Sequence, residues 1–543
     1  MKKTIYKSLK YGIPFVLVSI FAVGFSTLAT YYSTEMLNLA LNTDFEAMKS
    51  NTIRLILATL ISIPLQGAVA YTTANWTKKF NIEVKNTYIQ KLFKKNINEF
   101  QDENNALYLS NLTNDMNTIE TKFLVPTQTV LNGIILLITG IVVIVSIDTT
   151  LLLVVIGVMV FIPVFALITG KPLQKPESQK SSLLQNYTNY IKEVLSAFSI
   201  IKNNNLEERI TSSFNDHSDL VQQKTYEIDK KSTWITFGNS FLMNGVSFFG
   251  LLMLANYARN TGIQVGSVIL IINNFNRILW PMMNMTEYLP QIRSTVKVIE
   301  KMDENLTNKV EVEETISLPD ITEGLTFDQV SFEYDEQTPI FDQVSINFEL
   351  GKKYLILGPS GRGKSTLLRL LRKYFNPDSG RILVDGHDLK SVKKMDYFGS
   401  IANIEQKVFL FEESVRNNIT LFKDYSYEQL QKAIIDSGLE DFIEGLEHGL
   451  DHIIVDDGKN VSGGQKARIA IARGLISKSK ILYLDEAFAS LDDNMARQIE
   501  QTLLSLDNVL VINVSHVVFK DTKHQYDHIY YVNNQQIIDI TQQ

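Results

Sequence analysis

The sequence predicts two architectures in one chain: an all-α transmembrane domain of six helices, then an α/β domain of the phosphate-loop nucleotide-binding class. Three observations predict this. Six apolar stretches of membrane length fill the first half. From about Ile321 the pattern changes to short apolar strands alternating with helical segments. Within that second half, Gly358 to Thr366 reads GPSGRGKST directly after an apolar strand.

At 543 residues the chain exceeds what one core supports. The 45% apolar content averages an apolar half with an ordinary soluble one. A net charge of −7 gives no basic field, which argues against a nucleic-acid partner. Cysteine is absent, which excludes disulfides, thiol catalysis and cysteine-based metal sites.

A helix needs about 20 mostly apolar residues to cross the hydrocarbon core. The six candidates are roughly 12–36, 52–75, 124–147, 149–170, 234–257 and 263–288. The basic opening MKKTIYKSLKYGIPF resembles the start of a signal peptide. Its apolar run continues to about Met36 without a small-residue cleavage site, so a retained first helix is expected. Lys2, Lys3, Lys7 and Lys10 precede the first span, and the segments 76–122 and 171–233 are Lys-rich. The alternate loops are short and poor in cations, which places both termini in the cytoplasm.

Both inner segments are long, polar and low in Gly and Pro, so their helices are expected to run on about 30 Å beyond the membrane. We read them as coupling levers that touch a cytoplasmic domain at Phe100–Asp115 and Ala197–Asn205, rather than as solvated hairpins. Pro14, Pro64, Pro163 and Pro281 are expected to kink their helices. The sixth span holds Asn273, Asn274, Asn276 and Arg277, then Trp280, Met282, Met283 and Met285. These residues either line a path for an amphipathic or anionic group, or Arg277 pairs locally while Met and Trp fill gaps. Both readings stay open at this stage. The expected division is a transmembrane domain over 1–302, a charged linker over 303–320 and a nucleotide-binding domain over 321–543.

In the second half, Lys352–Leu357 is a buried strand running into Gly358. The template G-x-x-x-x-G-K-[ST] is met by Gly358, Gly363, Lys364 and Ser365. Pro359, Ser360, Gly361 and Arg362 complete the loop, and Thr366 opens the helix. Glycines let backbone N–H groups close on phosphates, and the helix N-terminus adds positive potential. Lys364 is expected on the β- and γ-phosphates of ATP, and Ser365 on Mg²⁺. A second buried strand, Ser479–Leu484, ends in Asp485 and Glu486. Asp485 is placed to hold Mg²⁺ through its water shell, and Glu486 to orient or deprotonate the attacking water. Such a pair also caps helices, but a phosphate loop in the same domain favours the catalytic reading.

VSGGQ (Val461–Gln465) followed by KARIAIARG resembles the signature of ATP-binding cassette (ABC) proteins. The whole chain resembles the exporter-type half-transporter, six membrane helices fused to one cassette. That resemblance implies that Tyr334 stacks on adenine and that Gln406 senses Mg²⁺ and the membrane domain. It implies that Ser462, Gly463, Gly464 and Gln465 close on ATP held by a partner cassette. Asp492 would bridge the two cassettes, and His516 would contact the γ-phosphate. The chain departs from the family pattern at Val408, Asp456, Val461, Ala467 and Val517, none of them a group needed for hydrolysis. A single cassette lacks the second signature, so the resemblance implies a second half-transporter chain, identical or related, in the cytoplasmic membrane. The implied activity is ATP-driven export of a peptide, lipid or amphipathic small molecule by alternating access. The same architecture also serves import of a metal chelate, or ligand sensing and channel gating, and these stay as alternatives.

Overall fold

The computed structural model describes residues 1–103, 105–151, 153, 156–157, 179, 183–184, 186–308, 313–334, 338–516 and 518–542. The chain forms two compact units. One comprises Met1–Lys95 with Glu103–Thr307, the other Asn96–Asp102 with Asn308–Gln543.

The first unit is helical. Helix α1 (Ile13–Leu41) carries Pro14 in its first turn, where the missing N–H is no loss. Helix α2 (Phe45–Leu92) starts at Asp44, whose carboxylate accepts from the Ala47 N–H. Its 48 residues amount to about 72 Å, well beyond one hydrocarbon core. A short helix, α3 (Ile97–Asp102), precedes α4 (Val125–Ile147). Helices α5 (Glu207–Thr261) and α6 (Val265–Asn305) follow. Pro64 lies inside α2, and Pro281 inside α6. Among the described residues three helices are long and apolar enough to cross a membrane: Lys2–Leu41, Phe45–Leu92 and Leu107–Ile147. The fifth and sixth predicted spans fall within α5 and α6. The fourth, with Pro163, lies largely outside the described residues.

Helices α4 and α6 approach closely because Gly140 faces Ile278: a Cβ there would lie 2.9 Å from its side chain and 3.2 Å from the Asn274 carbonyl. Ile144, Ile278, Leu279 and Met282 form the adjoining apolar cluster, so Met282 fills core space, whereas Trp280 is exposed. At the start of α6 the Gly266 N–H donates to Asn38 Oδ1 of α1 at 2.6 Å, a cap supplied by another helix.

The second unit holds two sheets. Strands β1 (Gly324–Glu333), β2 (Pro339–Glu349), β4 (Ser379–Val384) and β5 (His387–Asp388) form an antiparallel sheet in the order β2-β1-β4-β5. The larger sheet is ordered β10-β9-β3-β8-β7-β6. It contains β3 (Lys353–Leu357), β6 (Ile401–Ile404), β7 (Ile481–Asp485), β8 (Leu510–Val514), β9 (His528–Asn533) and β10 (Gln536–Asp539). All its pairings are parallel except β9 with β10. The central strands β3, β7 and β8 are buried almost throughout, the mark of a parallel sheet covered on both faces. Leu367, Leu368, Leu370 and Leu371 of helix α7 (Lys364–Leu371) pack into the same core.

Asp385, in the turn between β4 and β5, pins the first strand. Its carboxylate accepts from the N–H groups of Thr322, Glu323 and Gly324 at 2.7, 2.9 and 2.9 Å. Burial alone would raise its pKa, but these donors and the Thr322 hydroxyl outweigh it and hold the carboxyl below its usual range. Its stabilisation is therefore present above the ordinary carboxylate pKa and is lost as pH falls through the depressed folded value. Asp385→Asn is expected to cost about 1.5–3 kcal/mol. Urea unfolding of the full chain at neutral pH measures this, and no change in the cassette transition would show that these bonds add nothing.

Of the first expected lever, Phe100–Asp102 belongs to the second unit, in a segment that begins at Asn96, whereas the rest belongs to the first unit. In the second unit the Asn96 N–H donates to Asn308 Oδ1 at 2.8 Å, and Lys394 Nζ donates to Asn96 Oδ1 at 2.7 Å. Helix α2 stops at Leu92 in a Lys-rich turn, so the chain reverses earlier than its polar composition suggests. Ala197–Asn205 forms a short helix, Phe198–Asn203, within the first unit.

Candidate functional site

The site assembles at the carboxyl ends of the parallel strands, where open α/β sheets hold their ligands. The phosphate loop leaves β3 through Gly358, whose φ is +146° and whose Cβ position lies 2.3 Å from the Val532 carbonyl oxygen. The loop closes at Gly363, φ +103°, which begins α7 and would clash with Ile340 if it carried a side chain. The helix starts at Lys364, two residues before Thr366, because Gly363 takes the capping position. Lys364 is buried, and its Nζ donates to the carbonyls of Gly358 at 2.8 Å and Pro359 at 3.0 Å. Burial lowers its pKa, and Glu486 and Asp485 pull the other way. Ser360, Gly361 and Arg362 form the exposed crown of the loop.

Asp485 ends β7 and accepts a hydrogen bond from the Ser365 side chain. Burial raises its pKa, and the Arg372 charge opposes that rise. This hydroxyl–carboxylate pair is the hard-oxygen donor set that suits Mg²⁺. Glu486 follows in a left-handed conformation, φ +51°, uncommon for a non-glycine residue and frequent at functional sites. Its N–H donates to the Val514 carbonyl at 2.9 Å, which fixes the turn. Gln406 Nε2 donates to Glu486 Oε2 at 2.6 Å, and His516 Nε2 lies 3.1 Å from Oε1. Gln406, Glu486 and His516 follow β6, β7 and β8, which are adjacent, so three neighbouring strands deliver three side chains to one point.

Tyr334 stands at the end of β1. Its hydroxyl lies 3.1 Å from Thr366 Oγ1 and accepts from Arg369 at 3.1 Å, while Phe332 and Phe375 meet it edge-on. The ring remains half-exposed.

Ser462 begins helix α8 (Gly463–Ile476). Its hydroxyl accepts from the Gln465 N–H at 3.3 Å, and Gln465 Oε1 accepts from the Ser462 N–H at 2.8 Å. That is a capping box, so Gln465 has a local structural task. Ser462 and Gly463 are exposed, and Gly464 is half-buried. A cavity of about 90 Å³ is lined by Gly463, Lys466 and Ser490 on one side and Gln406 and Glu486 on the other. Asp492 is exposed and caps helix α9 (Asp493–Leu504) by accepting from the Met495 N–H at 3.0 Å. Val517 lies outside the described residues.

Arg372 escapes sequence reading. It is buried, its guanidinium sits 5.7 Å over the Tyr483 ring, and it lies 3.5 Å from Glu405 beside Gln406. A cation at the end of an amphipathic helix reads as surface, and only the packing of β7 against α7 shows otherwise.

Residues 13–282 match the family described as ABC transporter transmembrane region, and residues 341–489 the family described as ABC transporter. A protein of Alcanivorax borkumensis named ATP-dependent lipid A-core flippase is 30% identical over 350 residues, 63% of this chain and 60% of that protein. Its namesake in Sodalis glossinidius is 32% identical over 45% of this chain and 43% of its own length. The namesake in Chromobacterium violaceum is 27% identical over 83% and 78%. The matched stretch thus spans 60% and 43% of the first two relatives. The solved structure of a bacterial Atm1-family ABC exporter with ATP bound has a TM-score of 0.81 at 19% identity, covering 98% of this chain and 95% of that one. At that identity the likeness concerns the fold.

Proposed function

Since the chain belongs to the ABC transporter family, we propose that it is an exporter half-transporter. In this reading it pairs with a second such chain and couples ATP hydrolysis to movement of a lipid-like amphiphile across the bacterial cytoplasmic membrane, with both termini inside. The convergence of Gln406, Glu486 and His516 beside the Lys364 loop carries this reading. Lys364 and the loop N–H groups hold the phosphates, and Tyr334 supports the base. Mg²⁺, held by Ser365 and Asp485 with Gln406 nearby, would neutralise developing phosphate charge. Glu486 takes the proton of the attacking water, and Gln406 and His516 fix its carboxylate. The Ser462–Gly464 turn, exposed at Ser462 and Gly463, and Asp492 face a partner cassette. Closure of two cassettes on ATP drives transport only because ATP binds the closed pair better than the open one. The lipid A-core flippase relatives support a lipid-like cargo.

The test is ATPase activity of the purified chain alone in lipid nanodiscs, against a panel of lipids, peptides and cationic amphiphiles. We expect Mg²⁺-dependent hydrolysis without any added protein, stimulated by lipid-like amphiphiles. A folded, ATP-binding preparation that stays silent throughout would overturn the homodimeric reading.

A further inference from the structure

Arg277 of α6 lies twelve residues past the first residue of its helix, about 18 Å along the axis and thus near mid-membrane depth for a core of about 30 Å. A cation there is costly and is kept where it serves a function. Among the described residues no carboxylate forms an ion pair with Arg277. Instead its guanidinium donates to three hydroxyls of α1, Thr27 at 2.6 Å, Thr30 at 3.1 Å and Ser26 at 3.3 Å. Hydroxyls orient the group and leave its charge uncompensated. The same guanidinium lines a cavity of about 220 Å³ inside the first unit, bordered by Ser19 of α1, Gln66 of α2 and Asn132 of α4.

A second observation points at the same space. Ser19 is 1% exposed, and its hydroxyl has no hydrogen-bond partner. Thr27, Thr30 and Thr34 on that helix each donate back to a carbonyl one turn earlier, whereas Ser19 does not. An orphaned buried hydroxyl is a standing cost that a bound acceptor would remove. Besides Ser26, the remaining walls, Val69 and Leu136 among them, are apolar. A free anion prefers a wholly polar cage, whereas a headgroup with the start of a hydrocarbon chain suits this mixture.

Resting on the transporter reading above, we infer that this cavity seats the anionic headgroup, phosphate or carboxylate, of a lipid-like cargo. Arg277 is its counter-ion, and Ser19 is one of its donors. The test uses the full chain in uncharged detergent, with intrinsic tryptophan fluorescence read during titration with short-chain phosphatidic acid or phosphatidylcholine of the same acyl length. The wild type is expected to bind phosphatidic acid roughly tenfold or more tighter than phosphatidylcholine. Arg277→Gln should erase that preference while still binding phosphatidylcholine, and Arg277→Lys should keep most of it. Ser19→Ala should weaken phosphatidic acid binding by several fold. A retained preference in Arg277→Gln overturns the inference. If that variant does not fold, unchanged phosphatidic acid binding by Ser19→Ala overturns it instead. Displacement of phosphatidic acid by equimolar inorganic phosphate would show a free-anion site and overturn the lipid assignment. ATP hydrolysis by the same wild-type preparation separates the two claims. With hydrolysis intact, loss of the lipid preference sinks only the headgroup site, whereas absent hydrolysis sinks the homodimeric transporter reading.

Discussion

Glu486→Gln is expected to lower steady-state ATP hydrolysis by about 10²–10⁴-fold, the usual contribution of a positioned general base. The replacement has the same size and keeps an oxygen for Gln406 Nε2 or His516 Nε2, which lie 2.6 and 3.1 Å from the present carboxylate. It removes the ability to accept a proton. ATP binding should therefore survive, because the phosphate loop and Tyr334 are untouched, and the cassettes should close on ATP without reopening by turnover. Measured together, these are the ATPase rate, the nucleotide affinity, and an ATP-dependent crosslink between single cysteines placed at Ser462 and Ser360 in this cysteine-free chain. Normal turnover in the variant would remove Glu486 from the mechanism.

Lys364→Met should weaken ATP binding by roughly 10- to 100-fold, since hydrogen bonds to charged groups contribute about 1.5–3 kcal/mol each. Methionine keeps much of the buried stem volume and loses only the ammonium. In the present structure that ammonium is held by the Gly358 and Pro359 carbonyls, so the loop brings its charge to the anion site in advance. The defect should appear in affinity as well as in rate, which distinguishes it from Glu486→Gln. A fluorescent ATP analogue titrated against both variants makes the comparison. Unchanged affinity in Lys364→Met would mean that the backbone N–H cradle alone holds the phosphates.

The parts of the site legible in sequence were those dictated by local backbone chemistry. GPSGRGKST is readable because only glycine accepts the conformations at Gly358 and Gly363, and the apolar strand before it marks a parallel-sheet core. The meeting of Gln406, Glu486 and His516 depends on strand order, with β6, β7 and β8 side by side, and no local pattern encodes that order. Arg372 was invisible for the same reason. The capping box of Ser462 and Gln465 was present in the letters, since Ser-x-x-Gln opening an apolar helix is its signature, but the family role of the motif hid it. Helix ends are the least legible in the sequence. Pro14 sits in the first turn of its helix, and the segment that joins the second unit starts at Asn96, just after a helix end at Leu92 that no change in hydropathy marks.

The membership of Asn96–Asp102 in the second unit has a topological consequence. The polypeptide passes between the units three times: into that segment, out of it, and again at Asn308. A protease cutting only after Thr307 would leave Asn96–Asp102 on the other fragment, and a gene fragment beginning at Asn308 would yield a cassette missing that piece, with Lys394 deprived of its Asn96 acceptor. A cut at any one peptide bond therefore does not divide the chain into these two units.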